Sequence, residues 1–241
     1  MIMGNRLRED ADVTPSPLAG DTRPSTARRQ QRWDEIVAAA ERIFLRKGYA
    51  ATTVRDIADE VGVQNGSLYY YIETKEDLLY EILRDMHEQG RETMERVSRL
   101  EIGPLHKIGL LTKAHARQAL GNRARWIIYF HDFRALGPGR VEALNAQRDA
   151  YESAFRELIR AAQRDGLACP DTDPRTAGAA ILGMVNSLHL WYSGAGRDSA
   201  AALSQQIADL AVASIACDAD SHTPGHRTRQ ATLPSPGTGE P

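Results

Sequence analysis

The sequence predicts an all-α protein: an N-terminal three-helix unit built on a helix-turn-helix, followed by a larger helical body. Three observations carry this. Apolar residues recur at three- and four-residue spacing along most of the chain, and no stretch alternates with period two. Gly and Pro fall between the periodic runs and punctuate them. Residues 53–75, TVRDIADEVGVQNGSLYYYIETK, compress two short helices and a tight turn into one stretch.

Taken in order, residues 1–27 are polar, carry Pro15, Pro17 and Pro24, and read as a disordered arm. The stretch from Arg23 to Arg32 holds four arginines and no acid. It is either a solvated tail or an arm that meets phosphates or a minor groove. The first helix is expected over 32–47, with Ile36, Ala40, Ile43 and Phe44 on one face and Gly48 as its stop. In the next, Thr53 is the N-cap and Val54, Ile57, Ala58 and Val61 are the apolar face. Gly62 makes the turn, because Gly reaches left-handed backbone angles without steric cost. A second short helix over 64–72 turns Leu68 and Ile72 inward and leaves Gln64, Asn65, Ser67, Tyr69 and Tyr71 outward.

A short helix presenting amides, hydroxyls and phenols across a Gly turn is the layout with which proteins read a major groove. Gln64 and Asn65 suit an adenine edge and Arg55 a guanine. Gly66 lets the backbone approach the groove, and Ser67 discriminates weakly. Thr53, at the head of the first of the two helices, is counted with this DNA-facing set. The bland alternative for any one of these residues is ordinary surface; agreement of spacing and type across the set argues against it.

Residues 32–82 resemble the DNA-binding domain of the TetR family of bacterial regulators. Thr52, Thr53, Ile57, Ala58, Gly62, Val63, Leu68, Tyr69 and Lys75 stand in the register of that family's signature. The resemblance implies phosphate contacts by Tyr69 and Lys75. Tyr71 replaces the usual His, keeping one hydrogen bond to a phosphate and losing the positive charge. Ile72 replaces the usual Phe. The implied division is a DNA-binding domain over 28–75, an effector-binding and dimerisation domain over 76–217, and a disordered tail over 218–241. The implied partners are a palindromic operator duplex, a small-molecule effector and a second copy of the chain, with repression as the family's common behaviour.

The body reads as helices over 75–100, 104–120, 123–136, 138–165, 174–192 and 199–216. The last two carry small and apolar residues nearly all round, so more than one side must be covered. Burial within one subunit and a dimer interface both satisfy this; the resemblance favours the interface. Trp126, Tyr129, Phe130, Tyr151, Phe155, His189 and Trp191, with Arg148 in the same stretch, offer an aromatic wall with polar tips for an effector. Aromatics filling a helical core are the alternative. The stretch 123–159 and the ending at Trp191 and Tyr192 resemble family members that respond to coenzyme A thioesters; drug-like or other apolar effectors remain open.

Composition excludes other classes. At 241 residues and 42% apolar the chain can bury a core, and no run is long and apolar enough to span a membrane. No secretory signal is evident, so a cytoplasmic protein is expected. Cys169 and Cys217 lack metal-ligand spacing and read as reduced thiols. No phosphate loop, metal cluster or nucleophile–base pair suggests an enzyme, and no metal or cofactor is expected. An architectural DNA binder is the other competing class. The net charge of −2 and the acids Asp56, Asp59, Glu60, Glu73, Glu76 and Asp77 do not advertise a nucleic-acid binder.

Overall fold

In the computed structural model, which describes residues 26–194 and 199–217, ten helices follow one another. They are α1 (Thr26–Lys47), α2 (Val54–Val61), α3 (Asn65–Leu68), α4 (Lys75–Ser98), α5 (Pro104–Gly121), α6 (Arg123–Asp132), α7 (Pro138–Arg164), α8 (Pro174–Asn186), α9 (Leu188–Trp191) and α10 (Ala200–Ala213). A 3-10 turn, Phe133–Ala135, follows α6. Among the described residues the only extended pairing is an antiparallel bridge between Ala168 and Ala216.

Helix α1 starts earlier than its apolar period. Gln30 donates to Asp34 at 2.9 Å and Arg32 pairs with Glu35 at 2.7 Å, i,i+4 and i,i+3 links that extend a helix outward. Arg28, Arg29 and Arg32 therefore ride on a helix. Thr26 and Ala27 open it; the rest of the arm read over 1–27, and the tail over 218–241, lie outside the described residues.

The helix-turn-helix is closed by complementary caps. The Asp56 amide donates to the Thr53 hydroxyl at 3.1 Å, and the Asp56 carboxylate accepts from the Thr53 amide at 2.7 Å. At the other end Gly62 takes φ 72°, and the Val63 amide reaches the Ala58 carbonyl at 3.0 Å. Helix α3 is shorter than expected. Tyr69 to Ile72 continue as a hydrogen-bonded turn, with the Tyr71 and Ile72 amides both donating to the Leu68 carbonyl. Leu68 and Ile72 are buried, as the pattern required, and each contributes about 1.5–3 kcal/mol of burial.

One core runs through both halves of the chain. Ile36, Phe44, Ile57 and Leu68 join Leu78, Leu79 and Ile82 of α4, then Trp126, Ile128, Val185 and Leu203 of the body. The boundary expected at residue 75 is therefore no gap in packing, because α4 belongs to both sides. A second core gathers Ile108, Leu111, Phe155, Ile159, Ile181 and Ile215. There Gly109 lets α10 approach α5: a Cβ in its place would lie 3.3 Å from Val212.

The helix expected over 174–192 breaks at Ser187, which separates α8 from the single turn α9. That break redirects Leu190 and Trp191. No helix of the described residues is long and apolar enough to cross a membrane.

Candidate DNA interface and effector cavity

Four of the acids of the helix-turn-helix region, Asp56, Glu60, Glu76 and Asp77, are held by cations of neighbouring helices. Asp56 pairs with Lys47 at 2.7 Å, and Lys47 with Thr53 holds its carboxyl well below the usual range. Glu60 meets Arg42 at 3.1 Å and Arg46 at 3.4 Å, which also lowers its pKa. Arg140 of α7 pairs with Glu76 at 3.2 Å and with Asp77. These four carboxylates are engaged within the chain, which leaves Asp59 and Glu73 as the exposed acids of the region that no neighbouring helix holds.

On that face Gln64, Asn65 and Gly66 are exposed, Ser67 is half-buried, and Arg55 extends outward with only a 3.9 Å approach to Asp59. Thr53 is exposed, with its hydroxyl engaged in the cap. Tyr69 is exposed, whereas Tyr71 is half-buried against the core. Tyr70, which the sequence reading passed over, takes the outward position at 83% exposure. The shortness of α3 causes the exchange, because the chain leaves helical period at Tyr69.

Lys75 differs from its expected role. Its ammonium donates to the carbonyls of Tyr49 at 2.7 Å, Ala50 at 3.2 Å and Thr52 at 2.8 Å, and lies over the Tyr49 ring at 4.4 Å. A lysine has three donors, and all three are used here, leaving none for a phosphate. Lys75 ties the loop that carries Thr53 to the head of α4.

In the body, α4 to α8 enclose a cavity of about 510 Å³. Of the residues expected there, Trp126, Tyr129, Arg148 and Tyr151 line it. Phe130, Phe155, His189 and Trp191 do not. Phe155 lies one turn beyond Tyr151 on α7 and is fully buried in the second core. Phe130 projects from α6 and stacks on the His189 ring at 4.7 Å. His189 is buried outside the cavity, with Nδ1 2.6 Å from the Asn186 carbonyl. Trp191, past the break at Ser187, is 56% exposed.

The sequence reading missed the polar residues that complete the wall. They are His87 on α4, His115 and Gln118 on α5, Gln147 on α7 and Asn186 on α8. The available signal was a polar side chain near an apolar stripe, and solvent-facing residues give the same signal. Gly90 of α4, inside an unbroken helix, also lines the cavity, 3.8 Å from Tyr151 measured from the Cβ it lacks. The His115 ring lies 5.2 Å from Trp126 and 5.6 Å from Tyr151, the latter edge-on.

Burial, with Arg148 nearby, pushes the His87 imidazole down to about 4. Burial, with His87 nearby, does the same for His115. Both rings are neutral at pH 7 and take up protons on unfolding. The unfolded chain therefore binds more protons between about pH 6.5 and 4, and acid favours it. Thermal unfolding is expected to show a stability that is flat above pH 6.5. Below it, stability falls by up to about 1.4 kcal/mol per pH unit for each ring. His115→Phe is expected to remove about half of that slope; an unchanged slope would assign the pH dependence elsewhere.

Three links join the cavity wall to the reading face. Helix α4 runs unbroken from the Lys75 anchor to Met86, His87 and Gly90. Arg125, next to Trp126 on α6, donates to Glu41 of α1 at 2.8 Å and to Asp85 of α4. The Gly137 amide, just ahead of α7, donates to Glu76 at 3.0 Å.

Comparison with known proteins agrees with this architecture. Residues 36–82 match the profile of bacterial regulatory proteins of the tetR family, and residues 101–215 match that of the tetracyclin repressor-like C-terminal domain. The HTH-type transcriptional repressor KstR2 of Mycolicibacterium smegmatis is 27% identical over 199 residues, covering 82% of this chain and 96% of that protein. The structure of the ketosteroid transcriptional regulator KstR2 of Mycobacterium tuberculosis superimposes with a TM-score of 0.72 at 24% identity, over 78% of this chain and 96% of that one. AibR, crystallised with isovaleryl coenzyme A and operator DNA, does so with a TM-score of 0.66 at 24% identity, over 76% and 97% of the two chains. The helix-turn-helix, the helical body and both profile matches place this chain in the TetR family of DNA-binding transcriptional regulators.

Proposed function

We propose that this protein is a cytoplasmic repressor that binds a two-fold operator as a homodimer and is released when a small-molecule effector occupies the cavity between α4 and α8. One observation carries the reading: a single helix, α4, is anchored at one end beside the recognition element and forms cavity wall further along. An effector that favours a different placement of α4 shifts the population away from the DNA-competent state. Among the DNA-facing residues, Gln64, Asn65 and Arg55 read base edges, and Ser67 adds a weaker contact. Tyr69 and Tyr70 meet the backbone, with Tyr71 and Thr53 at the margin. Gly66 admits close approach, and Lys75 is a positioning residue.

An acyl thioester of coenzyme A is the effector class that best fits. Relatives described as a fatty acid metabolism regulator and as a complex with isovaleryl coenzyme A support it. A cavity of about 510 Å³ takes an acyl group and leaves the nucleotide outside. Drug-like apolar effectors are the second reading, favoured by the Met86, Met94 and Leu182 surfaces. The dimer is formed by α8 and α10. Leu210 of α10 is exposed at 58%, and Ala179, Ala180 and Gly183 leave α8 open to close approach.

The test is a gel-shift titration on DNA upstream of the protein's own gene at fixed salt, with and without acyl thioesters. Asn65→Ala is expected to cost about 1–3 kcal/mol on the operator and little on random duplex. Tyr69→Phe is expected to weaken both alike. Equal losses for Asn65→Ala on both duplexes would remove it as a base reader. Absence of binding to any duplex at low salt would end the proposal.

A further inference from the structure

Between α7 and α8 lies a second cleft, of about 420 Å³, framed by the charged side chains of Asp149, Glu152, Arg156 and Arg175. Glu152 and Leu182 line the larger cavity as well, so the two hollows share a wall. They differ in chemistry. Met86, Met94, Trp126 and Tyr151 give the larger one apolar surfaces, whereas the cleft is bordered mostly by charge.

Among the described residues no carboxylate pairs with the guanidinium of Arg156 or Arg175. The two acids of the cleft already have a cation nearby: each lies 3.7 Å from Arg148, on the wall of the larger cavity. Three guanidiniums thus stand against two carboxylates, and positive charge is left over beside the cleft. The stem of Arg156 is held in place. Gly178 of α8 has no side chain, a Cβ there would lie 3.6 Å from Arg156 Cγ, and Arg156 is half-buried where it packs on α8. A guanidinium on a held stem presents a fixed fork of donors, which takes the oxygens of a phosphate two at a time. Along α7 the rise from Arg148 to Arg156 is about 12 Å, which a flexible arm the length of pantetheine spans.

We infer that the cleft binds a phosphate group carried by the effector whose apolar part fills the larger cavity, with Arg156 and Arg175 holding the phosphate. This deepens the reading of the cavity as the effector site and rests on it. It also separates the two effector classes: a thioester of coenzyme A carries phosphates, and an uncharged drug-like molecule has nothing to place there.

The test titrates the whole protein by calorimetry with octanoyl coenzyme A and with S-octanoyl pantetheine, which has the same acyl group and arm and no phosphate. At low salt octanoyl coenzyme A is expected to bind at least about tenfold more tightly, the scale of one charge-assisted contact. Added KCl is expected to weaken octanoyl coenzyme A alone. Arg156→Gln with Arg175→Gln is expected to bring the two ligands within about twofold of each other, by lowering the affinity for octanoyl coenzyme A only. If that double variant fails to fold, Arg175→Gln alone, on the exposed first turn of α8, is expected to take about threefold from octanoyl coenzyme A, since an exposed charge contributes less. Equal binding of the two ligands to the unaltered protein, or a preference that survives the substitutions, would overturn the inference and leave the cavity reading intact. Binding of neither would remove the acyl-thioester reading and this inference with it. Inorganic phosphate titrated alone separates the sources: an affinity equal to that of octanoyl coenzyme A would mark a site for free phosphate and reject the linked ligand. Ala179, which also lines the cleft, lies on the face of α8 given to the dimer, so light scattering accompanies each titration. A double variant that becomes monomeric would assign the two arginines to the subunit contact and overturn the inference.

Discussion

Replacing Leu210 with glutamate is expected to split the dimer and weaken operator binding by at least about a hundredfold. Leu210 stands on the outer face of α10, 58% exposed among the described residues of the single chain. In the proposed dimer a glutamate there would have to be desolvated within the contact made by α8 and α10. Each protomer carries one recognition element, so a monomer retains contacts to a single half-site. Specific operators are held at about 10⁻⁸–10⁻¹¹ M, whereas non-specific contacts reach only about 10⁻⁴–10⁻⁶ M. Losing half the contacts moves the protein most of the way between these ranges. Light scattering after size exclusion, with a gel shift at one salt concentration, checks both parts. A variant that stays dimeric would place the interface elsewhere; a monomer that binds the operator unchanged would dispose of the two-fold mechanism.

Arg125→Met is expected to uncouple the two functions. Arg125 lies on α6 beside the cavity residue Trp126, and its guanidinium bridges Glu41 of α1 and Asp85 of α4. The methionine keeps much of the stem and removes both charge-assisted hydrogen bonds. It leaves the largely covered Glu41 carboxylate without its cation, at a stability cost of about 1–3 kcal/mol. Operator affinity without effector should change by only a few fold, because no DNA-facing residue is touched. The effector concentration needed for release should rise about tenfold or more, since displacement of Trp126 no longer drags α1 and α4. Linkage demands the reciprocal result: operator DNA should lose the same factor in its effect on effector affinity. Release at the wild-type effector concentration would show that coupling travels through α4 alone.

The sequence by itself determined the helical class, the caps and turn of the helix-turn-helix, and the inward positions of Ile57, Leu68 and Ile72. These are local properties. A Thr–Asp capping box, a left-handed glycine and an apolar period each act within a few residues, so the pattern is written where it operates. Trp126, Tyr129, Arg148 and Tyr151 could be nominated for the cavity because aromatic walls are built from few residue types.

What the tertiary structure alone decided depends on how the helices are rotated and where they stop. Phe155 and Tyr151 are neighbours on α7, yet one fills a core and the other lines the cavity. A break at Ser187 turned Trp191 away, and early termination of α3 exchanged Tyr71 for Tyr70. The three carbonyls that hold Lys75 lie 23 to 26 residues away from it, and Arg125 reaches Glu41 across 84. No periodicity encodes such partners, because a long cation takes whichever carbonyls or carboxylates packing brings within reach.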